Sequence, residues 1–366
     1  MRILERKILA DFLKNRLAKT PRSAKADSQV IAPVEVEGRL YFQQLDPEKR
    51  LAELVWPVTE RRSGDGKPGV GFKESGSSTP IPATGSLNVD FTVNSIKEFF
   101  FPHRQELYEQ RPDGIIPRAA PEETQRLLLF PRPCDTRGLA ILDRVFLGEV
   151  EDESYRRSRH NTAVVGLHCL QPDRYCFCTS LGGGPFDTEG MDLALTPLDA
   201  DRYLVQEATD KGKALLASLS GKEAGEAERK AFEQFRTAAE AAIRRTIEVP
   251  DSKTMAERFD SPYWGEVSQA CLTCGICSYL CPTCHCFDIV DEGYLRLRCW
   301  DTCSSDTFTR MAAGEDHRRQ KRSRYRQRIY HKFSYFQENF DTHSCVGCGR
   351  CTRHCPVKID IVEIVN

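Results

Sequence analysis

No run in the 366-residue chain approaches the roughly 20 consecutive apolar residues that a membrane span needs, so none is expected. A dominant charge of either sign is also missing. The 52 Lys and Arg nearly balance the 53 Asp and Glu, and a net charge of −1 selects no partner by itself. The first twenty residues, MRILERKILADFLKNRLAKT, are too broken by charge to be the apolar heart of a secretory leader, and they contain acids that transit peptides avoid. A cytoplasmic protein is expected. There is no Walker sequence, and Gly182-Gly183-Gly184-Pro185 lacks the G-x-G-x-x-G spacing of a dinucleotide loop. No nicotinamide or flavin site of the chain's own is expected. His103, His160 and His168 are scattered, and no Ser/His/Asp arrangement is defensible, so no catalytic site is expected on this chain. Finally, no cysteine precedes Cys134.

What is present is organised unevenly. Hydrophobic residues at 40% and charged ones at 29% read as a soluble globular protein of two or three domains. Residues 1–60 read as a small α/β segment, with Leu4, Ile8, Leu9, Phe12 and Leu13 at helical spacing and short strands over 29–36 and 40–43. Residues 61–86 are rich in Gly, Ser and Pro and read as a flexible loop or linker. Over 87–210, apolar runs at 126–130 and 162–167 suit buried strands. They flank a helix over 136–147, for which Asp135 is the expected N-cap, and further strands are expected at 191–195 and 203–206. Residues 211–260 read as a helical connector, and 261–366 carry most of the cysteines. The expected fold class is α+β, with an N-terminal α/β domain, the connector and a C-terminal ferredoxin-like module.

Twelve of the sixteen cysteines lie between Cys271 and Cys355. In a chain without a leader such a density points to metal ligands rather than disulfides. Cys271, Cys274, Cys277 and Cys281, followed by Pro282, repeat the spacing of Cys345, Cys348, Cys351 and Cys355, followed by Pro356. Both runs are C-x₂-C-x₂-C-x₃-C-P, the bacterial ferredoxin pattern for [4Fe–4S] clusters. The first three thiolates of such a run wrap three irons of one cubane, and the fourth ligates the other cluster. One cluster is thus expected on Cys271, Cys274, Cys277 and Cys355, and a second on Cys345, Cys348, Cys351 and Cys281. Gly275, Gly347 and Gly349 suit the tight loops. Zinc knuckles are the competing reading, but zinc sites usually separate their cysteine pairs by a long gap.

Cys134, Cys169, Cys176 and Cys178 follow expected strands. In a parallel sheet those strand ends share an edge, where four sulfurs can hold a third cluster; unpaired core thiols are the alternative. Cys284, Cys286, Cys299 and Cys303 form a last set of four, read as a further metal centre or as buried thiols. The stretch 317–332, HRRQKRSRYRQRIYHK, packs eight Lys or Arg into sixteen residues. It reads as a solvated helix or a docking face for an acidic partner, with a nucleic-acid patch as the lesser alternative.

PCDTRGLAILDRVF, HCLQPDRYCFCTSLGGGP, CLTCGICSYLCPTCHCF, CWDTC and CVGCGRCTRHCP together resemble the iron–sulfur β subunit of NAD(P)-linked NiFe hydrogenases (sulfhydrogenases) and, equally, the A subunit of anaerobic sulfite reductase. The resemblance covers about 90–366. It implies electron transfer beside an FAD- and NAD(P)-binding subunit, toward a catalytic metal subunit. It also implies that the four cysteines from Cys134 to Cys178 act as a set, whereas a cysteine at the place of Cys299 is not general in the family. Service to a sulfite-reductase or heterodisulfide-reductase complex is the neighbouring expectation. A regulatory or nucleic-acid-binding iron–sulfur protein is the expectation from another class.

Overall fold

The computed structural model describes residues 1–18, 28–45, 54–56, 92–118 and 124–366, and the linker expected over 61–86 lies outside them. The chain opens with strand β1 (Arg2–Glu5) and helix α1 (Arg6–Ala18), then the hairpin β2 (Ser28–Val36) and β3 (Arg39–Gln44). A second hairpin, β4 (Arg104–Arg111) and β5 (Gly114–Pro117), precedes β6 (Gln125–Leu129), α2 (Pro133–Phe146), α3 (Glu153–His160) and β7 (Thr162–Leu167). Next come β8 (Leu193–Pro197), β9 (Arg202–Glu207), α4 (Asp210–Ala217) and the short β10 (Lys222–Glu223). The connector is helical, with α5 (Glu226–Ala242) and α6 (Ser252–Glu257). The C-terminal part holds α7 (Tyr263–Val267), α8 (Ile276–Tyr279), the hairpin β11 (Phe287–Glu292) and β12 (Leu295–Trp300), α9 (Lys321–Tyr330), α10 (Phe336–Phe340), α11 (Arg350–Arg353) and α12 (Ile361–Val365).

Eight strands form one mixed sheet in the order β10-β1-β9-β8-β7-β6-β2-β3, and its centre, β2, β6, β7 and β8, is parallel. Parallel strands covered on both faces read as continuous apolar runs, and that is why 126–130 and 162–167 show no alternation. Residues on successive positions serve opposite faces. Leu127, Leu129 and Val165 join α1 and α4 side chains such as Leu9, Leu13 and Leu216 in one core. Leu128 and Val164 join Leu139, Leu142, Phe146 and Tyr155 of α2 and α3 in the other.

Helix α2 begins three residues before its expected start. Pro133 takes the first turn, where a missing N–H costs nothing. Asp135 is therefore not the cap. It lies inside the first turn, where its carboxylate accepts the Arg132 N–H at 3.4 Å. The hairpin β11–β12, from between the cysteine runs, pairs antiparallel with β4 through Leu297↔Glu106 and Cys299↔Arg104. A four-stranded sheet β11-β12-β4-β5 thus joins the C-terminal part to the segment before β6.

Candidate iron–sulfur sites

The loop Cys271–Cys277 is set by two residues at positive φ, Thr273 at 55° and Gly275 at 74°, the latter starting α8. Its three sulfur-bearing residues and Cys355 line one cavity, walled by Tyr325 and Ile359. The Thr273 N–H donates to Cys271 Sγ at 3.4 Å and the Ile359 N–H to Cys355 Sγ at 3.3 Å. Four thiols around an apolar hollow, two of them receiving N–H donors, match what a thiolate-ligated cluster requires. Of the sixteen cysteines, Cys274 is the exposed one, and Leu272 beside it is 60% exposed.

The loop Cys345–Cys351 is deeper. Burial pushes the free thiol of Cys345 up to about 12 and that of Cys351 to about 11. Such thiols stay protonated at neutral pH unless a cation or a metal takes the place of the proton. Cys281, from the other run, lies close enough to Cys345, Cys348 and Cys351 to interact with each electrostatically. The crossing of last cysteines between the two runs is thus geometrically available in both directions.

Cys134, Cys169, Cys176 and Cys178 line a single second cavity with Arg132 and Cys348. Cys134 comes after β6 and Cys169 after β7, and these strands are parallel neighbours, so both cysteines emerge at one sheet edge. Arg132 Nη1 donates to Cys169 Sγ at 3.2 Å. Phe177, between two of the cysteines, is 1% exposed and belongs to the core of the C-terminal part, packed with Trp264, Ile329 and Phe333. Its N–H donates to Gly347 O at 2.9 Å. Gly347 has φ 65°, and a Cβ there would lie 2.5 Å from the Cys178 backbone nitrogen. Only glycine permits this approach of the two cysteine loops.

The last four cysteines are divided. The Cys284 thiol shares a hydrogen bond with Cys281, and the Cys286 thiol shares one with Cys303. Cys299 stands in β12 opposite Asp288 and Arg104. Among the described residues no three His, Cys, Asp or Glu side chains converge closely enough to hold a single metal ion. A cubane needs a wider ring of sulfurs, because each thiolate binds a different iron.

The basic stretch is not simply a solvated face. Arg324, Arg328 and Lys332, spaced by four, are all buried; Arg324 donates to the Ser304, Arg318 and Arg319 carbonyls, and the other two reach cysteines. Arg328 Nη1 lies 3.7 Å from Cys284 Sγ and Lys332 Nζ lies 3.3 Å from Cys281 Sγ, while Arg319 and Arg322, earlier in the stretch, remain exposed. Lys97 reaches the same place from the N-terminal side, donating to Ser278 O at 3.0 Å and Cys284 O at 2.9 Å. The sequence offered one signal for this, a basic residue at every fourth position beside the apolar stripe Tyr325, Ile329 and Phe333, and none for Lys97. Hydrogen bonding from Cys284 holds the Cys281 thiol well below its ordinary value against the effect of burial, with Lys332 and Arg328 adding to it.

The 4Fe-4S dicluster domain family matches residues 270–359. The chain is 31% identical over 296 residues to Sulfhydrogenase 2 subunit beta of Pyrococcus furiosus, an alignment spanning 78% of this chain and 86% of the relative. No solved structure matches the chain. Among the described residues no helix is long and apolar enough to cross a membrane.

Proposed function

Because the chain belongs to the family of the sulfhydrogenase beta subunit and is an iron–sulfur electron-transfer subunit with at least two clusters, we propose that it relays electrons between an FAD- and NAD(P)-binding subunit and a NiFe catalytic subunit in the cytoplasm. The relative is a subunit of a sulfhydrogenase, and this favours the hydrogenase reading over service to a sulfite reductase.

We assign Cys271, Cys274, Cys277 and Cys355 to one [4Fe–4S] cluster, Cys345, Cys348, Cys351 and Cys281 to a second, and Cys134, Cys169, Cys176 and Cys178 to a third. The observation that carries the assignment is the contiguity of the sites. Cys351 borders the cavity of the first proposed cluster and Cys348 that of the third, so the loop Cys345–Cys351 adjoins both neighbours. Clusters bound there supply one-electron exchange without bond making. The protein's own part is to hold the thiolates, to shield them with Tyr325, Ile329 and Phe177, and to aim N–H donors at Cys271 and Cys355. Cys284, Cys286 and Cys303 stand as thiols beside the second site, and Cys299 is left out of the assignment.

The test is Cys348→Ala in the assembled complex. NAD(P)H-linked turnover is expected to stop while dye-linked activity of the catalytic subunit persists. Undiminished NAD(P)H-linked turnover contradicts the relay.

A further inference from the structure

Three buried cations, Lys97, Arg328 and Lys332, converge on the Cys281–Cys284 pair, and each is less than one-tenth exposed. Among the described residues none of the three forms an ion pair with a carboxylate. Arg350 and Arg353, also beside the cysteine loops, are by contrast matched, with Asp135 at 2.9 Å and Asp173 at 3.0 Å. An uncompensated buried charge costs several kcal/mol, so three together call for an anionic occupant.

Lys332 is the one in direct contact with a proposed ligand sulfur. Its Nζ lies 3.3 Å from Cys281 Sγ, 3.2 Å from Thr283 Oγ1 and 2.8 Å from Ser344 O. Thr283 spends its single hydroxyl proton on Ser344 O at 2.8 Å, so the donors left to that sulfur are the Cys284 thiol and the ammonium, and the ammonium alone carries a charge. The lysine sits in a five-residue π-helix, His331–Tyr335, between α9 and α10. Such wide turns are rare and recur at functional sites, where they re-aim a side chain.

We propose that Lys332, seconded by Arg328 and Lys97, is a positioning residue that neutralises the Cys281 thiolate and raises the reduction potential of the iron–sulfur centre bound by Cys281. The proposal rests on the ligand assignment given above. Adding an electron makes a thiolate-ligated cluster more negative, and a fixed cation at the sulfur favours the reduced form. Lys97 and Arg328 act at greater distance, through the Cys284 carbonyl and thiol.

The test uses the full chain prepared without oxygen, as wild type, Lys332→Met and Lys332→Arg, with iron and sulfide counted before redox titration followed by electron paramagnetic resonance. The iron count of the wild type judges the ligand assignment, and the difference between variants judges this proposal. Lys332→Met is expected to keep the wild-type iron content and shift one centre's reduction equilibrium at least tenfold toward the oxidised form, about 59 mV for one electron. Lys332→Arg is expected to recover most of that shift. Unchanged midpoints in Lys332→Met overturn the proposal, as does an equal shift of every centre. Loss of iron in Lys332→Met also overturns it, because the lysine would then hold the loop rather than set a potential.

Discussion

Arg350 and Asp135 form a two-pronged ion pair, with 2.9 Å from Nη1 to Oδ1 and 3.1 Å from Nη2 to Oδ2, and neither side chain reaches solvent. Asp135 belongs to the first turn of α2 and Arg350 opens α11, so the pair fastens the sheet domain to the second cysteine loop. Removing one partner leaves a buried charge unmatched, a loss of about 3–5 kcal/mol. Asp135→Asn is therefore expected to lower the denaturant midpoint of the anaerobic protein markedly. Asp135→Leu combined with Arg350→Met is expected to recover part of the loss. If the single variant unfolds at the wild-type midpoint, the pair does not hold the two parts together.

Cys178 probes the third site, whose cavity it lines together with Cys134, Cys169 and Cys176. Cys178→Ala is expected to remove about four irons per chain, the content of one cubane, and to leave the two ferredoxin-type clusters in place. Iron and sulfide analysis measures this. An iron content equal to wild type assigns Cys134, Cys169, Cys176 and Cys178 to the core as plain thiols.

Gly347 and Gly184 form a matched pair of tests on one cavity. A Cβ at Gly347 would meet the Cys178 backbone at 2.5 Å, whereas one at Gly184 meets nothing within 4 Å. Gly347→Ala is expected to lower both iron content and thermal stability, since the loop must retreat from Cys178. Gly184→Ala is expected to change neither. Equal behaviour of the two variants in anaerobic calorimetry refutes the close approach of the loops.

The parallel strands and α2 were legible because burial on both faces writes unbroken apolar runs, as at 126–130 and 162–167. The two ferredoxin runs were legible because the spacing of their ligands is local. The convergence of Cys134, Cys169, Cys176 and Cys178 needed just one topological step, the parallel pairing of β6 with β7. What the sequence concealed is non-local. The pairing of β12 with β4 joins residues almost two hundred positions apart, and nothing in either segment specifies its partner. The role of Asp135 was misread because a cap is a local inference and Arg350 is remote. The basic stretch was misread for a related reason. Lys332 and Arg328 look like surface cations until a cluster of sulfurs supplies the counter-charge that lets them be buried.

The proposed assignment gives these cysteines three iron–sulfur clusters in one contiguous array. Elemental analysis of anoxically purified chain tests it most directly. About twelve irons and twelve acid-labile sulfides per chain are expected. Stoichiometric zinc with no iron or sulfide would contradict it.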